Sequence, residues 1–183
     1  MAEALPFYTI GHSNRTLAEF VALLQQVPVA RLVDVRKIPM SRANPQFNGE
    51  ALDRALAALQ IGYVHNVALG GLRGKTRDVP AALNGFWDNR SFHHYADYAL
   101  TEAFREGLEH LMADGAARVC AVMCSEAVWW RCHRRLIADN LLARGKSVFH
   151  IMGLGKIVPA TLTSGAVIRP DKTVIYPAEE SAA

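Results

Sequence analysis

Short apolar runs rich in β-branched residues recur at Phe7–Ile10, Val29–Val35, Ile61–Val67, Val119–Cys124 and Ser147–Ile151, and most are separated by segments with helical spacing. Strand-like and helix-like periods that alternate in this way predict an α/β fold, with a mostly parallel sheet flanked by helices on both faces. The first helix is expected from Thr16, where Thr16 and Glu19 have capping-box spacing, with Phe20, Leu23 and Leu24 buried. A second starts near Asn48 and carries an apolar stripe of Leu52, Ala55, Leu56 and Leu59. A third, longer one runs from about Ser91 to Met112 and stops at Asp114-Gly115. A fourth follows Cys132, buries Leu136, Ile137, Leu141 and Leu142, and ends at Gly145. Beyond Ile151 the pattern weakens.

At 183 residues, with no linker-like stretch, the chain reads as one domain over 1–183, and residues from about 177 are expected to be mobile. No apolar run reaches the roughly 18 residues of a membrane helix, and the start MAEALPFYTI lacks the pattern of a signal peptide. The three cysteines, Cys120, Cys124 and Cys132, crowd one stretch instead of forming the spread pairs of a secreted disulfide scaffold. These features predict a cytoplasmic protein without membrane contact. The net charge of +3, with many basic residues in the presumptive loops between Arg31 and Arg77, favours a small anionic ligand and leaves nucleic acid open as a partner. Oligomeric state is not indicated.

In a parallel sheet the segments after successive strands emerge at one edge, where ligands of open α/β sheets bind. Four polar clusters fall there: Gly11–Arg15, Arg36–Arg42, Leu69–Arg77 and Cys124–Arg134. The densest is Cys124-Ser125-Glu126, five residues, then Cys132-His133-Arg134. A thiol is a useful nucleophile only when its thiolate is stabilised by a helix N-terminus, a cation or a donor. Cys124, at a strand end, and Cys132, near a helix start, are both candidates; Cys124 is favoured as the nucleophile or redox centre, with Glu126 and His133 as proton-transfer groups. A reversible Cys124–Cys132 disulfide is an alternative. A zinc site on Cys120, Cys124, Cys132 and His133 lacks paired C-x2-C knuckles, so no metal and no cofactor are expected. Cys120 is assigned to the core.

Candidate substrate-binding residues are His12, Ser13, Asp34, Arg36, Ser41, Arg42, Gly70, Gly71 and Arg134. Arg36, Arg42 and Arg134 offer forked donors for an anion, whereas Asp34 either joins them or pins a loop. Gly70–Thr76 fails as a Walker loop, because Leu69 stands where the first glycine is needed. Trp129 and Trp130 either stack a base or fill space between helix and sheet.

Taken together, Ile10-Gly11-His12-Ser13, Val33-Asp34-Val35-Arg36 with Pro39 and Ser41-Arg42, Leu69-Gly70-Gly71, Cys124-x-Glu126, Cys132-His133-Arg134 and His150-Ile151 resemble the bacterial domain-of-unknown-function family 488, from about Tyr8 to Ile151. That resemblance implies a fold and a residue set but no reaction; labels on some relatives hint at DNA repair. The layout is also loosely similar to rhodanese-type sulfurtransferases, although Trp129 and Trp130 crowd the cysteine loop. Two functions are carried forward. One is a cysteine-dependent transferase or hydrolase acting on a small anionic, nucleotide-like substrate. The other is a nucleic-acid-binding or DNA-repair-associated module without catalysis.

Overall fold

The computed structural model describes residues 4–179. Within them the strands β1 (Phe7–Gly11), β2 (Arg31–Asp34), β3 (Gly62–His65), β4 (Cys120–Cys124) and β5 (Val148–Gly153) lie parallel. Strand β6 (Lys156–Pro159) adds antiparallel to β5, giving the order β3-β2-β4-β1-β5-β6. The expected α/β architecture is therefore present, and all five anticipated strands form within a residue or two of the expected ends.

Both faces of the sheet are covered. Helices α1 (Leu17–Leu24) and α2 (Gly49–Ala57) bury Phe20, Leu23, Leu24, Leu52 and Leu56 against Ile10, Leu32, Ala121 and Met123. On the opposite face α3 (Arg90–Tyr98), α4 (Glu102–Ala117) and α5 (Arg134–Leu142) pack Tyr95, Phe104, Leu108 and Ile137 against Val33, Cys120 and Val122. The two-residue period of β4 sends Cys120, Val122 and Cys124 to the α5 side and Ala121 and Met123 to the other. Cys120 is a core residue, as expected.

Helix α1 starts with the reciprocal Thr16–Glu19 box that its sequence announces. Other expectations need correction. The third helical region is two helices, because the Thr101 side chain caps α4 by accepting from Phe104 N while its hydroxyl donates to Tyr98 O at 2.7 Å. Gly115 does not stop α4. It lies over Phe7, whose ring a Cβ there would strike at 2.1 Å. Leu59 falls beyond α2 and is exposed. The weakly patterned C-terminal part forms β6 and a hairpin of β7 (Val167–Ile168) and β8 (Val174–Ile175). Of the tail expected to be mobile, residues 180–183 lie outside the described residues.

Buried polar bonds fix that hairpin. Tyr176 donates its hydroxyl to Asp139 Oδ2 at 2.8 Å, Thr163 N–H donates to Asp139 Oδ1 at 3.0 Å, and Tyr176 N–H donates to Asn84 Oδ1. Removing one partner of a buried carboxylate leaves an acceptor with no water to replace the lost donor. Tyr176→Phe is therefore expected to lower stability by about 1–3 kcal/mol in urea unfolding. A change inside measurement error would show that the tyrosine acts through its ring alone.

Candidate functional site

The four polar clusters meet at the carboxyl ends of the strands, and the backbone there is stitched beyond the regular ladders. His12 N–H donates to Cys124 O and Ser13 N–H to Ser125 O, both at 2.9 Å, while Val35 N–H donates to Met123 O. Gly11 permits this approach, since a Cβ on it would lie 1.9 Å from Glu126 O. The loops enclose a cavity of about 740 Å³. Cys124, Glu126, Cys132 and His133 all line it, as do His12, Ser13, Arg36, Ser41 and Gly71. Asp34, Arg42, Gly70 and Arg134 are not among its lining residues.

Arg134 decides the electrostatics. It is 1 % exposed, and no carboxylate accepts from it among the described residues. Its Nε–H points at Cys132 Sγ at 3.3 Å, one terminal nitrogen donates to Thr9 Oγ1 at 3.3 Å and the other to Glu126 O at 2.6 Å. The Arg134 backbone N–H, at the start of α5, also points at Cys132 Sγ, at 3.5 Å. A buried cation requires an anion nearby, and Cys132 is the group in contact that can become one. Arg134 thus faces the Cys132 sulfur from within the protein and is not on the cavity wall where its sequence position anticipates an anion clamp.

Burial alone would raise the Cys132 pKa, but the adjacent Cys124 thiol and then the Arg134 charge and donors outweigh it, lowering the value from 9.0 to about 6. Cys124 moves the other way, to about 12, first through the neighbouring Cys132 sulfur and then through burial. Both shifts favour Cys132 as the sulfur that ionises first, whereas the sequence leaves the two open and leans to Cys124.

His133 stands over both sulfurs. Its Nε2–H donates to Val35 O at 2.9 Å, so in the neutral ring Nδ1 is the unprotonated nitrogen, 3.9 Å from Cys124 Sγ and 3.7 Å from Cys132 Sγ. Gly71 makes room for the ring, because a Cβ there would be 2.8 Å from Nδ1. Gly71 is thus a clearance for an imidazole, whereas Gly70 packs closely against Val67 O and the Lys37 backbone. The sulfurs and Nδ1 lie within 4.8 Å of one another, a donor set that suits zinc. Arg134 already supplies Cys132 with a positive charge, however, and Cys120, the fourth residue considered for a metal, lies at the opposite end of β4. The arrangement serves a thiolate better than a cation.

Asp34 and Arg36 form a closed pair. Arg36 Nε–H and NH2 donate to the Asp34 carboxylate at 2.9 and 2.6 Å, and Tyr63 OH adds a third donor at 2.7 Å. Arg36 also donates to Phe47 O at 2.7 Å and faces His12 Nε2 at 3.3 Å. Its charge is neutralised in place, so Arg36 shapes the wall and orients His12 but is no free clamp. His12, stacked on Phe47, has a lowered pKa, through burial first and then the nearby Arg36 charge. The Ser41 hydroxyl accepts from Asn44 N–H within its own loop, and Arg42 is exposed to solvent.

Trp129 stacks on His150 with ring centroids 4.5 Å apart, and Thr9 Oγ1 is 2.7 Å from His150 Nδ1. Neither Trp129 nor Trp130 lines the cavity. Thr9 and His150 escape site assignment from sequence, although a polar residue inside each of two apolar strand runs was a signal. The inward direction of Arg134 was also readable: it stands three, four and seven residues before Ile137, Ala138 and Leu141, on one helical stripe.

Replacing Arg134 by Gln keeps hydrogen-bonding capacity and removes the charge. The Cys132 ionisation midpoint, followed by thiolate ultraviolet absorbance, is expected to rise by about 1 to 3 units; a midpoint still near 6 would remove Arg134 from the account. His150 gives a second test. Burial and then Arg134 hold its pKa near 4, below its ordinary 6.5. Between pH 6.5 and 4 the unfolded chain therefore binds a proton that the folded chain refuses, so stability falls with acid across this window. In His150→Asn the slope of melting temperature against pH is expected to flatten there, whatever the absolute stability.

Comparison with known proteins places these residues in a family. The model described as Domain of unknown function DUF488 matches residues 16–141. No curated protein and no solved structure matches the chain. The matched stretch includes the Asp34–Arg36 pair, Gly71 and the whole Cys124–Arg134 segment, while His12, Ser13 and His150 flank it. Since it spans well over half of the sequence, the chain belongs to the DUF488 family.

Proposed function

We propose that this protein is a cytoplasmic, thiol-dependent enzyme in which Cys132, not Cys124, attacks the electrophilic centre of a small anionic substrate without a cofactor. The observation that carries this reading is the Arg134 guanidinium, buried with no carboxylate partner among the described residues and aimed with the first N–H of α5 at the sulfur of Cys132, a residue that lines an open cavity. Depressed thiol ionisation of this origin is the usual means of arming a cysteine at neutral pH. Glu126 and His133, on the same cavity wall, are the groups available to move protons. With Arg36 held by Asp34, an anionic substrate is met by Lys37 and Arg131 on the lining. Three free cysteines suit a reducing compartment.

The alternative, a nucleic-acid-binding module without chemistry, draws on Trp129 and Trp130 as stacking platforms. Trp129 is committed to His150, and the cavity is lined by neither. The thiol reading is therefore preferred.

Alkylation by iodoacetamide, with each cysteine assigned by peptide mass, tests it. Facing Cys132 are Cys124 from β4, His133 and Arg134 from α5, and Tyr95 from α3. Cys132 is expected to be modified first, with a rate that rises through a midpoint near pH 6, while Cys124 and Cys120 stay slow at pH 7. If Cys124 and Cys132 both react no faster than a free thiol of pKa about 8.5, the reading is lost.

A further inference from the structure

A nucleophilic cysteine in acyl or phosphoryl transfer gains nothing from a second thiol beside it and risks being trapped as a disulfide. Here the second thiol is built in. Cys124 ends β4 on the α5 face, its Sγ, Cys132 Sγ and His133 Nδ1 lie within 4.8 Å of one another, and both sulfurs line the cavity. His133 Nδ1, kept free of its proton by the Val35 carbonyl on Nε2, is 3.9 Å from Cys124 Sγ. A charged nucleophile, a neutral thiol in reach of it and a base on that thiol are the parts of a two-step exchange at sulfur.

Building on the thiolate reading above, we infer that the substrate class is a small disulfide, with Cys132 as attacking and Cys124 as resolving cysteine. In the first step Cys132–S⁻ attacks RS–SR′; the Cys132–S–SR bond forms, the substrate S–S bond breaks and R′S⁻ leaves. In the second, Cys124–SH gives its proton to His133 Nδ1 and attacks the Cys132 sulfur. The Cys124–Cys132 bond forms and RS⁻ leaves. The substrate is thereby reduced to two thiolates and the protein dithiol is oxidised to a disulfide. Two equivalents of an external thiol reopen it, leaving as their own disulfide. Closing the protein bond, whose length is about 2 Å, requires one of the two side chains to rotate about its Cα–Cβ bond. The high ionisation threshold of Cys124 suits a resolving thiol, which must remain protonated until its base acts.

The test uses the full chain, fully reduced, and the anionic aromatic disulfide 5,5′-dithiobis(2-nitrobenzoate) at pH 7. Two thionitrobenzoate anions per protein are expected. The first is released at a rate proportional to reagent and the second at a rate independent of it, and mass mapping finds a Cys124–Cys132 bond with Cys120 untouched. Cys124→Ser is expected to stop after one anion with a lasting mixed disulfide on Cys132. Release of one anion only from the unaltered protein, with a stable Cys132 adduct, overturns the resolving role and leaves the thiolate reading intact. A second release proportional to reagent overturns it equally, because the two cysteines then react independently. If neither sulfur reacts faster than a free thiol, both readings fail together. The outcome with unaltered protein does not depend on any variant folding.

Discussion

A guanidinium enclosed in protein with no carboxylate partner among the described residues is the constraint on which the rest of this structure turns. Arg134 reaches three parts of the chain at once: a hydroxyl in the central strand β1, a carbonyl in the loop after β4, and the sulfur at the threshold of α5. Each contact is needed to make burial of a positive charge tolerable. The same contacts fix the distance between β1, the β4 loop and the helix that closes the cavity. Fold and site are therefore not separable at this point, since the residue that holds the layers together also points its guanidinium at the Cys132 sulfur.

The Asp34–Arg36 pair makes a useful contrast. It is equally hidden, but it is complete, with the carboxylate receiving both Arg36 donors and the Tyr63 hydroxyl. A satisfied pair of this kind acts mainly on its immediate neighbour His12; it orders the loop after β2 and braces that ring. The two arginines, similar in sequence context, thus do opposite things. One is neutralised internally, and the other faces a sulfur, with no carboxylate partner among the described residues.

Much of this was legible in the sequence because it depends on local rules. Alternating periods gave the strands and their order of appearance, and Thr16 with Glu19 marked the start of α1 to the residue. What local rules miss is what a side chain meets across the fold. Gly115 reads as a helix stop, yet it is needed for contact with Phe7 from a distant strand. Gly71 reads as part of a ligand loop, and its role depends on the ring of His133, far along the chain. The convergence of polar loops was inferable from a parallel sheet, but which cysteine bears charge was not. That follows from the aim of a guanidinium, and Cys124 and Cys132 differ little in sequence until its donors are located. Two-residue strands such as β7 and β8 carry too few residues to express a period.

The antiparallel strand β6 has a bearing on how the molecule behaves in a crowd. An open parallel sheet presents unpaired amide and carbonyl groups at its last strand, and these invite a strand from another molecule. Here the last strand is only four residues long, begins with an exposed lysine and ends with a proline, and its pairing to β5 is interrupted by an irregularity between Ile151 and Gly153. Charge, a missing donor and a broken register each discourage strand addition from outside, so on this flank the sheet is protected against end-on growth into aggregates.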